Sequence, residues 1–85
     1  MTESVFVHPH ALKHGISEDE IRHAWNNFVR SQQRRAPNEE QVVRIGYGRT
    51  TETAIQMIGV AGVSGILIIH ALTPPQRNVI KELGL

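Results

Sequence analysis

Nothing in this chain limits its fold more than three strand-like runs in its second half, Val42 to Tyr47, Thr53 to Val60 and Ile66 to Ala71. Only residues 48–52 and 61–65 separate them, and both links contain glycine. Links so short cannot return the chain to its starting edge for parallel pairing, so the runs form antiparallel hairpins. In the first run Val43, Ile45 and Tyr47 share a face and Arg44 takes the other. The last run, Ile66-Leu67-Ile68-Ile69, is apolar on both faces, which fits an interior strand or one covered at a homodimer interface.

Upstream, Val5, Phe6 and Val7 suit a short edge strand before His8-Pro9, where the proline withdraws a backbone donor. Pro9 then opens a short helix through His14, with Gly15 free to take a positive φ at its end. Ser17 and Glu20 have the S-x-x-E spacing of a capping box, and Ile16 with Ile21 supplies a hydrophobic staple. Behind them Ile21, Ala24, Trp25, Phe28 and Val29 follow helical spacing, which predicts a helix to about Arg30 with Trp25 and Phe28 in the core. Ser31 to Gln41 is polar and without period, and reads as a connecting loop. Thr73 and Gln76 repeat the capping spacing, Pro74 stands at the favoured first helical position, and Val79, Ile80 and Leu83 line a final helix ended by Gly84. The expectation is a single domain over residues 1–85 of α+β class. Its antiparallel sheet of three to four strands packs against two main helices, in the order strand, short helix, helix, three strands, helix.

Composition narrows the function. The chain has no cysteine, so neither disulfides nor thiolate metal sites reinforce it. A formal charge of +1 excludes a highly basic nucleic-acid tail and an acidic disordered segment. The longest apolar run is far too short to span a bilayer, and the first residues lack the basic and apolar regions of a secretion signal, so a cytoplasmic protein without membrane contact is expected.

The string His8-Pro9-His10-Ala11-Leu12-Lys13-His14-Gly15-Ile16-Ser17, the three-stranded meander, and the junction from Ile69 through His70-Ala71-Leu72 to Arg77 resemble the BrnT-like branch of the RelE superfamily. These are small bacterial toxins of type II toxin-antitoxin systems. The resemblance implies a RelE-like fold and a metal-independent RNA endonuclease without cofactor. In such toxins a basic cleft holds messenger RNA, often on the ribosome, the RNA's own 2′-hydroxyl attacks the adjacent phosphate, and a cognate antitoxin covers the cleft. By position, Arg44, Arg49 and Arg77 match the arginines of that cleft. The final helix lacks the Glu-Arg pair and trailing Tyr of the branch, and Thr73-Pro74-Pro75 stands where a more basic stretch is usual. A noncatalytic RNA- or protein-binding module on the same fold is therefore the alternative.

Cleavage of this kind needs a proton acceptor, a donor for the leaving oxygen, and cations where the phosphorane develops charge. His70, at the end of the last strand, is the candidate acid or base. Arg44 and Arg77 complete the candidate catalytic set. Arg77 and Lys81, four apart on a helix, share a face, and Arg49, Lys81, Arg34 and Arg35 are candidate RNA contacts. His8, His10, His14 and His23 lack the H-E-x-x-H arrangement of a catalytic zinc site, so no metal is assigned. The clustering of His8, His10 and His14 instead makes the N-terminal face responsive to acid.

Overall fold

The computed structural model describes residues 4–50 and 53–85. Thr51 and Glu52, in the link expected between the first two strands of the meander, lie outside the described residues. Strand β1 (Val5–Val7) leads through a 3₁₀ turn (Pro9–Leu12) into helix α1 (Glu18–Asn26). Strands β2 (Phe28–Gln33), β3 (Gln41–Gly46), β4 (Ile55–Gly62) and β5 (Gly65–Leu72) follow, and helix α2 (Arg77–Glu82) ends the fold. The five strands form one sheet in the order β1-β5-β4-β3-β2.

The α+β class is as expected, and the sheet is larger than expected and mixed. From β2 to β5 all neighbours are antiparallel, but β1 pairs parallel with β5. That pairing is possible because the turn, α1 and the meander intervene, giving the long connection that parallel strands require. It also makes β5 an interior strand, with Ile66, Ile68 and Ala71 buried on one face while Leu67 on the other is 37% exposed.

The Ser17 half of the capping box is present at α1: its hydroxyl accepts from the Glu20 amide at 3.2 Å, the Glu20 carboxylate accepts from the N–H groups of Arg49 and Thr50, and Ile16 and Ile21 are both buried. The expected end of this helix is wrong. It stops at Asn26, where Asn27 leaves helical geometry and spends both its backbone N–H and its side-chain Nδ2 on the carbonyl of His23. Phe28 and Val29 then begin β2, an edge strand replacing part of the expected loop, and they are 45% and 56% exposed instead of buried. The side-chain spacing fits a longer helix, but pairing with β3 offers Phe28–Gln33 a ladder interrupted only at Val29, and tertiary context overrides the local pattern. Tyr47 likewise lies beyond the end of β3 and is exposed.

Two apolar clusters occupy opposite faces of the sheet. On one, Ala11, Ile16, Ile21, Ala24 and Trp25 pack on Ile55, Met57, Ile66, Ile68 and Ala71. On the other, Val79 and Leu83 of α2 pack on Val43 and Ile45, with Ile58 and Ile80 at the margin. Thr73 does not cap α2. Its hydroxyl bonds the Ala54 carbonyl and the Thr53 hydroxyl, and the helix opens at Gln76, after both prolines. Gly84 ends the helix with φ +73°. No helix among the described residues is long and apolar enough to cross a membrane.

Candidate functional site

A break in the β4–β5 ladder decides where His70 points. Gly59 pairs with Ile68 but Ile58 pairs with His70, so Ile69 is an extra residue on β5. Strict alternation would give Ile66, Ile68 and His70 one face. The bulge re-aims His70 to the face of its partner Ile58, the side on which α2 packs.

There the imidazole meets a buried amide. Gln56, 1% exposed, alternates on β4 with Ile55 and Met57, and its side chain turns toward α2. Its Oε1 accepts from the backbone N–H of Gln76 at 2.7 Å. Its Nε2 lies 3.1 Å from Gln76 Oε1 and 2.9 Å from His70 Nε2. No buried side-chain nitrogen or oxygen among the described residues is left without a partner, so this amide is fully used.

The 3₁₀ turn carries the chain from β1 toward His14, which comes to the same place. Its backbone continues the β1 pairing, with His8 N–H donating to the Ile68 carbonyl at 2.8 Å. Just beyond it, the exposed ring of His14 stands edge-on to His70, with ring centroids 6.1 Å apart. Burial holds the His70 pKa below the ordinary imidazole value, and the nearby His14, Lys13 and Arg34 push it the same way. A half-buried neutral imidazole, a solvent-exposed imidazole and a lysine therefore meet at the rim of the sheet, and together they offer hydrogen-bond donors, a proton acceptor and positive charge.

The other expected site residues are distributed differently. Arg44 shares the face of α1, not that of His70. Its guanidinium lies 4.2 Å from the ring centroids of both Trp25 and Phe28 and donates to Ser31 Oγ and to the Trp25 carbonyl, each at 3.0 Å. That clamp holds it apart from His70. Arg49 also belongs to the α1 side: its N–H donates to Glu20 and its Nε lies 3.4 Å from His23 Nδ1. Arg34 forks onto Glu82 at 3.0 and 3.2 Å and donates to Gln41, so most of its charge is committed to holding α2 against the end of β2. Arg35 is exposed in the turn after β2. Arg77 and Lys81 are exposed on α2, and Arg77 directly follows Gln76, which ties them to the His70 side. The structure thus gathers His70, Arg77 and Lys81 on one side of the sheet and Arg44 and Arg49 on the other.

Among the described residues no group of histidines and carboxylates converges as a metal site. His8 uses its Nδ1 to accept from the His10 amide. Gln56, Gln76, Lys13 and His14 are the members of the site that sequence reasoning missed. A polar amide between Ile55 and Met57 in an apolar strand was the available signal for Gln56. No family model, curated protein or solved structure matches the chain.

Proposed function

We propose that this chain is a cytoplasmic toxin of the RelE-like, BrnT-type kind that cleaves RNA without a metal, at a site formed by His14, His70 and Lys13. The observation that carries this reading is the 6.1 Å approach of His14 to His70. It joins the two stretches in which the sequence resemblance lies, the Lys13-His14-Gly15-Ile16-Ser17 segment and the junction from Ile69 to Arg77. In the reaction His14 takes the proton of the 2′-hydroxyl, and the 2′-oxygen forms a bond to the adjacent phosphorus. The bond from phosphorus to the 5′-oxygen breaks, and that oxygen leaves with a proton from water. Lys13 and an N–H of His70 oppose the charge that gathers on the phosphorane oxygens. Arg77 and Lys81 extend the positive rim along the RNA backbone. A cognate antitoxin would silence the protein by covering this rim.

The test is to map new RNA 5′ ends in bacterial cells shortly after induction, with His14→Ala and His70→Ala variants confirmed to be folded. Cleavage that appears with the parent chain, persists with chelator in a purified reaction, and vanishes with His14→Ala is the expected result. Unchanged cutting by both variants would remove these residues from the chemistry.

A second reading, a noncatalytic RNA- or protein-binding module, is favoured by one observation: His70 Nε2 is already engaged by Gln56 Nε2 at 2.9 Å. Specific RNA retention with no cleavage over long incubation would decide for it.

A further inference from the structure

We infer that Gln56 is a positioning residue that fixes His70 as a neutral imidazole with its proton on Nδ1, so that the site uses His70 as a hydrogen-bond donor and leaves proton acceptance to His14. Its use in cleavage rests on the ribonuclease reading, but the location of the proton does not.

The Gln76 backbone nitrogen can only donate, so the Gln56 atom 2.7 Å away must be the carbonyl oxygen. The other end of that amide is therefore an NH₂ group with two donors. One meets Gln76 Oε1 at 3.1 Å and the other meets His70 Nε2 at 2.9 Å. Two N–H groups cannot face each other at that distance, so His70 Nε2 bears a lone pair and its proton resides on Nδ1.

An imidazolium at position 70 would need Gln56 to turn over. That would set its NH₂ against the Gln76 N–H and break both bonds inside a site where Gln56 is 1% exposed. The charged groups facing His70 act in the same sense. Lys13 and His14 approach from the segment after the 3₁₀ turn and Arg34 from the end of β2, while Glu82 of α2 is engaged by Arg34. Each of these neighbours disfavours a second proton on His70.

The function of this arrangement is to hold a donor constant. A free neutral imidazole exchanges its one proton between Nδ1 and Nε2, whereas the bond from Gln56 keeps that proton on Nδ1. An N–H of fixed orientation suits a phosphate oxygen or a phosphorane, and it separates the roles of two histidines that are otherwise alike.

The test is a long-range ¹H–¹⁵N correlation experiment on the histidine rings of the whole chain without RNA, between about pH 5 and pH 8. The expected spectrum for His70, assigned by its loss in His70→Phe, has a protonated Nδ1 and an unprotonated Nε2, with a midpoint below that of a free imidazole. In Gln56→Glu one carboxylate oxygen still accepts from Gln76, and the other now calls for an N–H from His70. The proton then moves to Nε2 and the midpoint rises by about one pH unit or more.

A protonated Nε2 in the parent protein would overturn the inference, as would identical titrations of the parent and Gln56→Glu. If Gln56→Glu does not fold, the parent spectrum decides alone. A protein with the expected spectrum that cuts no RNA would refute the ribonuclease reading while leaving this inference standing. Cleavage by a protein whose His70 carries Nε2–H would do the reverse.

Discussion

At Gly59 and Gly46 the fold depends on the absence of a single carbon. A Cβ at Gly59 would stand 2.6 Å from Trp25 Cη2 and 2.7 Å from Ile66 Cγ2, both in the α1-side core. At Gly46 it would meet the backbone carbonyl of Ala24, which cannot rotate away as a side chain can. Overpacking of this kind costs about 1–3 kcal/mol, so Gly59→Ala should fall in that range and Gly46→Ala at or above its upper end. Urea unfolding of the two variants checks the order, and a Gly59→Ala protein as stable as the parent would mean that Trp25 has room to shift. Arg44 illustrates a different dependence. Lysine keeps its charge but not the flat guanidinium that lies between Trp25 and Phe28 while bonding Ser31 and the Trp25 carbonyl. Arg44→Lys should therefore lose about 1 kcal/mol or more of stability, by the worth of a partly desolvated cation–π contact, and on the ribonuclease reading it should leave cleavage unchanged below its melting range. Loss of cleavage in a fully folded variant would return Arg44 to the site. The sequence could not reveal this role, because Trp25, Phe28 and Ser31 are distant in the chain and meet Arg44 only after β2 pairs with β3.

At the scale of elements, the legible parts were those whose signals are local. The cap at Ser17, the staple, the links of the meander and the turn at Gly84 each depend on residues a few positions apart. Ser17→Ala should accordingly cost about 1 kcal/mol, read as a shift of the urea midpoint with unchanged cooperativity. No change would show that the α1 terminus is held by packing of Ile16 and Ile21 alone. The illegible parts depend on partners far away. The spacing of Phe28 and Val29 continues that of Ile21, Ala24 and Trp25, and only the ladder offered by β3 turns those residues into a strand. Strand β1 carries no mark of parallel pairing, since its partner β5 lies at the other end of the chain. The extra residue Ile69 is equally silent in sequence, yet it reverses the face of His70 and so determines the site. His70 was therefore legible as a candidate, whereas its surroundings were not. Gln76 was seen only as part of a cap, and His14 only as one of a cluster.

At the scale of the whole molecule, the site makes stability depend on acid with a sign that can be worked out. In the unfolded chain His70 protonates around its ordinary pKa of about 6.5, whereas in the folded protein burial, followed by His14, Lys13 and Arg34, holds that pKa lower. At neutral pH and above, the ring is uncharged in both states and contributes no pH dependence. As the pH falls below the unfolded value the unfolded chain binds a proton that the folded protein refuses, so unfolding becomes easier, and the loss continues until the folded pKa is reached. Urea midpoints should therefore drop between about pH 7.5 and pH 5.5. The other histidines and the carboxylates also titrate with the medium, so the decisive quantity is a difference. His70→Phe leaves a Gln56 donor unpaired and is expected to be less stable than the parent at both pH values, yet its midpoint should fall less on acidification, because the refused proton is gone. Equal falls in the two proteins would mean that His70 takes up a proton as readily when folded as when unfolded. The bond from Gln56 would then not be holding the ring neutral.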